Sequence, residues 1–191
     1  MSYTKTTWNT GDTITAEKMN KIEDGVESAF GFSEQLNALI DRSITEITIP
    51  DGVTEIGENA FSKCENLESV VIQSSVTSIG KHAFEDCKSL EDVTMQAGAE
   101  IIDEGAFWGC TSLRNIAILG GVTTMWYSVF YNCQNLESIT LLSETPPTIQ
   151  PSTLFTVPET CPIYVPASAV DAYKAASEWS ERASYIQAIQ E

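Results

Sequence analysis

Histidine and positive charge are what this sequence has least of. There is one histidine, His82, and 10 lysines and arginines stand against 27 aspartates and glutamates, for a formal net charge of −17. So acidic a chain has no basic patch with which to hold nucleic-acid phosphates or an anionic membrane surface. No stretch approaches the roughly 18 apolar residues of a membrane-spanning helix, so membrane insertion is not expected. The opening residues, MSYTKTTWNTGDTIT, are polar and lack the apolar centre of a secretory signal, which argues against export by the ordinary route. Neither a CxxC nor an HExxH spacing occurs, and no serine or cysteine is evidently paired with His82. A metal site and a nucleophilic triad are therefore not expected, and neither are a cofactor nor a catalytic residue.

What the chain does have is a repeat. From Val53 to Glu144 it reads as four units of twenty-three residues, beginning VTEIGENAFSKCENLESVVIQSS. Phe61, Phe84, Phe107 and Phe130 fall in register, as do Cys64, Cys87, Cys110, Cys133 and Leu67, Leu90, Leu113, Leu136. A fixed period of this size means stacked supersecondary units, because one unit cannot bury its apolar face alone. Four of the 5 cysteines occupy one column. They read as small, buried, reduced side chains; the alternative, bridges between neighbouring turns, requires a dihedral that inward-facing thiols seldom have.

Within each unit Leu67-x-x-Val70-x-Ile72 and its register mates predict one short strand, together a parallel sheet along one side of a solenoid. Ile44, Ile47 and Ile49 supply an earlier copy of that strand. The return path buries Val53, Ile56, Ala60 and Phe61, and the small alanines predict a tight helical or irregular turn as the second wall. Strand residues between the buried positions face outwards. This gives a candidate binding face of Ser69, Val71, Asp92, Thr94, Asn115, Ala117, Ser138 and Thr140. Those side chains are small and lack the aromatic and arginine anchors of binding hot spots.

The repeat is broken on the late turns. After the phenylalanine stand Ser62 and Glu85, then Trp108 and Tyr131; where earlier turns carry Gly57, Gly80 and Asp103, the fourth carries Trp126, followed by Tyr127. Trp108, Trp126, Tyr127 and Tyr131 form a candidate patch for stacking a sugar or contacting a protein. The plainer alternative is packing against a C-terminal cap or a sister chain. His82 aligns with Asn59, Gly105 and Ser128, a variable surface position.

Residues 1–32 read as an anchoring and oligomerising segment. Trp8 and Ile14 precede a short amphipathic helix whose stripe is Met19, Ile22, Val26 and Phe30. Such a helix needs a partner surface, either the solenoid or other copies of itself. Residues 33–43 read as a short helix capping the first turn, and 44–144 as the repeats. Over 145–191, Pro146 and Pro147 interrupt the repeat, Ile163-Tyr164-Val165 adds a last strand, and Ser168 with Asp171 opens a helix through about Ala176. Trp179, Tyr185, Ile186 and Ile189 then cover the open end, so that the chain reads as complete.

The unit AFxxCxxLxxVxI resembles the BspA-like leucine-rich repeat, over roughly residues 44–190. IYVPASAVDAYKAASEW is similar to the closing segment of such domains. The resemblance implies an α/β leucine-rich-repeat solenoid with a binding or adhesive role rather than catalysis. YTKTTWNTGDTITAEKMNKIEDGVESA, residues 3–29, resembles attachment segments of tailed-phage virion proteins (head fibres, tail fibres, baseplate proteins). That second resemblance implies a trimeric structural protein assembled in the host cytoplasm and carried on the virion. Its expected partners are other virion proteins and a host-surface protein or glycan. A bacterial surface adhesin and an intracellular interaction scaffold are the alternatives.

Overall fold

A computed structural model describes residues 12–14 and 44–190 of the chain. They form a coil of parallel strands in two ladders, with the apolar columns between them. The broad sheet holds β2 (Glu46–Thr48), β4 (Ser69–Ile72), β6 (Asp92–Met95), β8 (Asn115–Ile118), β10 (Ser138–Leu141), β12 (Ile163–Val165) and β13 (Ile186–Ala188). The narrow sheet holds β1 (Asp12–Ile14), β3 (Val53–Ile56), β5 (Ser78–Ile79), β7 (Ile101–Ile102), β9 (Thr124–Met125) and β11 (Thr148–Ile149). The broad sheet and its copy of the strand at Ile44, Ile47 and Ile49 match the sequence pattern. The second wall has the irregular turn, not the helical one, at its alanine and phenylalanine positions, and before each turn a ladder two residues wide at most turns.

Register in the broad sheet is strict. Ser69, Asp92, Asn115 and Ser138 stand opposite one another, as do Val70, Val93, Ile116 and Ile139. A slip of one residue would turn every buried side chain to the outside, so the alternation itself enforces the register. Inside, Phe61, Phe84, Phe107 and Phe130 are fully buried and stacked, with centroids 4.9, 5.2 and 5.9 Å apart. Burying each ring contributes about 1.5–3 kcal/mol, and close ring pairs add roughly 0.5–1.5 kcal/mol.

The cysteines of the repeat are all buried, and no disulfide joins one to another. The Cys87, Cys110 and Cys133 thiols donate to the carbonyls of Phe61, Phe84 and Phe107, one turn back, at 3.1, 3.2 and 3.2 Å. Burial pushes the Cys133 thiol up to about 12 and that of Cys110 well above its ordinary value, which keeps these two protonated. The column is thus a line of hydrogen-bonded thiols rather than a set of bridges.

The turn carrying the phenylalanine needs left-handed backbone at two positions per unit. Asn59, His82, Gly105 and Ser128 have φ of 56, 54, 64 and 57°; Lys63, Asp86, Gly109 and Asn132 have 62, 55, 73 and 64°. Asn, Asp and Gly tolerate this region at least cost, which accounts for half of the first column and three of four in the second. His82 is therefore part of a constrained turn and half-buried, rather than a free surface position. A Cβ on Gly105 would lie 2.6 Å from His82 Nδ1.

The repeat does not end at Glu144. Despite Pro146 and Pro147, Thr148 and Ile149 pair with Thr124 and Met125 as β11. Leu154 and Val157, both buried, then follow as the counterparts of Phe130 and Cys133. One inserted residue lengthens the step from 23 to 24 and hides this half-turn from a fixed-period reading.

The cap beyond it supplies donors where the next turn would have stood. The Thr77, Glu100, Thr123 and Thr148 amides each donate to the carbonyl of the turn before. At the end of the series the Trp179 indole donates to Pro147 O at 2.8 Å. Arg182 donates to Leu154 O, Val157 O and Pro158 O at 2.9, 3.0 and 3.1 Å, the first being the carbonyl position that the cysteines serve in earlier turns. Tyr173 and Trp179 are buried and meet edge to face at 5.3 Å. The helix α1 (Val170–Ala175) is preceded by a tight turn over Ala167–Ala169. Ser168 does not cap it: its hydroxyl bonds Glu144 at 2.6 Å, and Ala169 is the N-cap. Trp179 and Ile186 close the end as the pattern predicts, while Tyr185 and Ile189 are only half-buried.

At the other end β1 pairs with β3, placing Ile14 opposite Ile56. A strand therefore covers that edge of the narrow sheet. The stripe Met19, Ile22, Val26 and Phe30, together with Trp8 and the cap helix at 33–43, lies outside the described residues.

Candidate functional site

The four aromatic residues singled out by the repeat fall into two pairs. Trp108 and Tyr131 occupy the position after the column phenylalanine on successive turns. Their rings meet at 4.5 Å with planes 36° apart, and both are half-buried. Trp126 and Tyr127 follow β9, with centroids 6.4 Å apart, and are 40% and 48% exposed. Among the described residues no ring contact joins one pair to the other.

The first pair belongs to a longer row. His82 lies 6.1 Å from Trp108 on one side; Phe155 lies 6.1 Å from Tyr131 on the other, with planes only 6° apart. Phe155 is 68% exposed. It was not among the sequence candidates because it sits in the hidden half-turn. Aligning Leu154-Phe155 with Phe130-Tyr131, with one residue inserted, would have found it. Trp108 and Tyr131 are half-buried and have ring neighbours on both sides, so the row offers a continuous apolar strip more than a free ring face, which suits a protein contact better than sugar stacking.

The broad sheet's outer face is satisfied within itself. Asn115 donates to Asp92 at 2.9 Å and Ser138 to Asn115 at 2.8 Å, forming a line of side-chain bonds across three strands. Val71, Thr94, Ala117 and Thr140 form the adjoining half-buried row beyond Ser69, and Tyr164 extends it. Further ties between turns are ionic: Lys88–Glu65 at 2.7 Å, Lys81–Glu104 at 2.8 Å and Arg114–Glu137 at 2.8 Å. The hydrogen bond from Lys81 holds the Glu104 carboxyl below its usual value, and the same bond raises the Lys81 ammonium.

His82 Nδ1 is buried without a hydrogen-bond partner, 3.8 Å from Glu85 Oε2. Among the described residues no three histidine, cysteine or acidic side chains converge as a metal site.

Stacked parallel strands, one per turn, and leucine-, phenylalanine- and cysteine-type columns between two ladders define the class: a leucine-rich-repeat solenoid. The chain belongs to the BspA-type leucine-rich repeat family, whose repeat is matched in 6 copies over residues 35–155. Among solved structures, a leucine rich cell surface protein from Faecalibacterium prausnitzii is 28% identical, with a TM-score of 0.50 over 77% of this chain and 32% of its own. A leucine-rich repeat protein from Eubacterium ventriosum is 26% identical, with a TM-score of 0.56 over 75% of this chain and 38% of its own. The chain thus spans well under half the length of either. No curated protein matches it.

Proposed function

We propose that the protein is a non-catalytic binding module whose late turns form the contact surface for a surface-borne protein or glycan. One observation carries this reading. The large apolar side chains left exposed are Ile101, Trp126, Tyr127, Leu142 and Phe155, all from the third turn onward, whereas the first two turns expose none among the described residues. Exposed apolar groups concentrated in one region mark an interaction site more often than scattered ones do. Similarity to a leucine rich cell surface protein supports an adhesive role of the BspA type. The test is a host-cell and glycan binding screen with the wild-type chain and with Trp108→Ala and Trp126→Ala. Loss of binding in either variant supports the surface; binding unchanged in both removes it.

A finer reading places this module on a phage or prophage particle as a fibre or decoration protein. The resemblance of residues 3–29 to virion attachment segments favours it, as does the stripe Met19, Ile22, Val26 and Phe30, which fits a trimeric bundle. Light scattering should then give a trimer for the whole chain and a monomer for Ile22→Ser/Val26→Ser, and mass spectrometry should find the protein in purified virions. A monomeric wild-type chain absent from particles would leave the adhesin reading in its place.

A further inference from the structure

Among the described residues Phe155 is the most exposed of the large apolar side chains, at 68%, and it ends the ring row. Tyr131 lies against one side of it, with nearly parallel planes, and Trp108 lies behind Tyr131. Tyr131 has a ring neighbour on each side, whereas Phe155 has one, Tyr131, and its remaining face is exposed. Phe155 also borders a cleft of about 120 Å³ between the last half-turn and the C-terminal cap, walled on the cap side by Glu178, Glu181 and Arg182.

The charges around this cleft select its occupant. Arg182 is its one cationic wall residue, and its donors are committed to the carbonyls of Leu154, Val157 and Pro158. Glu178 and Glu181 take part in no ion pair among the described residues, including with the neighbouring Arg182. Two unpaired carboxylates thus stand beside an open aromatic face on a chain of net charge −17. A cation with an apolar stem satisfies both features, because the ring quadrupole attracts the charge and the carboxylates accept its hydrogen bonds. A neutral sugar would meet one open ring and two uncompensated carboxylates.

We infer that the cleft between Phe155 and the cap receives a lysine or arginine side chain of a protein partner. The inference rests on the reading of the late turns as the contact surface and narrows the partner to a basic protein segment. Charge complementarity of this kind steers encounter and fixes register as well as adding affinity.

The test is amide NMR of the full-length ¹⁵N-labelled protein. It is titrated with N-acetyl-arginine methylamide, N-acetyl-lysine methylamide, the neutral citrulline analogue and chitotriose. The cationic probes are expected to shift amides at 149–155 and 178–182, with the citrulline analogue about tenfold weaker, and the shifts should shrink as salt rises. Phe155→Ala, at an exposed ring, and Glu178→Gln/Glu181→Gln, isosteric changes at a half-buried and an exposed carboxylate, should each weaken the cationic probes several-fold with little change in melting temperature. Equal shifts from the citrulline analogue, no shifts at the cleft, or undiminished binding by the glutamine variant would each overturn the inference. If chitotriose shifts the Trp126 and Tyr127 amides while the cationic probes leave the cleft untouched, the inference falls and the late-turn surface stands. If no probe shifts any amide between 101 and 155, and the Trp108→Ala and Trp126→Ala chains also bind in the cell screen as wild type does, both fall.

Discussion

The first two turns and the last two are the same molecule on the inside and different ones on the outside. Their interiors carry the same phenylalanine, cysteine and leucine columns, each buried to within a few per cent. Their exteriors part at equivalent positions: Ser62 and Glu85 early, Trp108, Tyr131 and Phe155 late. Lys88–Glu65 ties the first two turns together by an exposed ion pair, whereas the late turns are also tied by ring contacts. A solenoid sums nearest-neighbour interfaces, so interior columns must recur for each interface to be favourable. No such demand falls on outward positions, and there the late turns depart.

The largest effect should come from breaking the shared interior. Phe107→Ala removes a fully buried ring stacked on both sides and should lower stability by about 3–5 kcal/mol, read from urea unfolding. Because Phe107 touches the turns before and after it, amide exchange should quicken in both. A loss confined to the late turns would show that the two halves unfold separately.

Next in size is the closing edge. Trp179→Phe keeps an aromatic body but leaves Pro147 O without the indole donor, a change expected to cost about 1–3 kcal/mol. Amides near β11 and β9 should lose protection before those near β3. Uniform loss would mean that the cap stabilises the coil as a whole rather than its last turn.

Alkali probes the cysteine column. The Cys133 thiol is raised from 9.0 to about 12 by burial. A group raised on folding holds its stabilisation below the unfolded value and loses it as pH climbs towards the folded one. Stability should therefore fall between about pH 9 and pH 12, by roughly 1.4 kcal/mol per pH unit for this thiol. Cys133→Ala should flatten that slope in urea midpoints taken from pH 8 to 11; parallel curves would remove the thiol as the cause.

The smallest effect on stability should come from the exposed late face. Trp126→Ala and Tyr127→Ala should each change stability by no more than about 0.5 kcal/mol, while lowering partner binding. A large stability loss would recast these rings as packing groups and erase the contrast between the halves.

Much of this architecture could be read from residue spacing. Inward columns obey one period, so Phe61 through Phe130 announce themselves. A strand reveals its buried face by alternation, so Ile139 and Leu141 could be told from Ser138 and Thr140. The half-turn at 148–157 could not be read at a fixed period, because one inserted residue shifts it and prolines stand at its entrance. Phe155 went unseen with it.

Sequence alone therefore determined the coil, its pitch in residues, its buried columns and the turns on which aromatics gather, because burial imposes a period that the chain displays. Tertiary structure decided what no period encodes. It showed that Trp108 meets Tyr131 while Trp126 stands with Tyr127, and that Asp92, Asn115 and Ser138 bond one another across the sheet. It also showed that Trp179 and Arg182, far along the chain, reach back to serve the carbonyls of the last turn. These depend on side-chain direction and on contacts between segments of unlike sequence, which only the folded arrangement brings within reach.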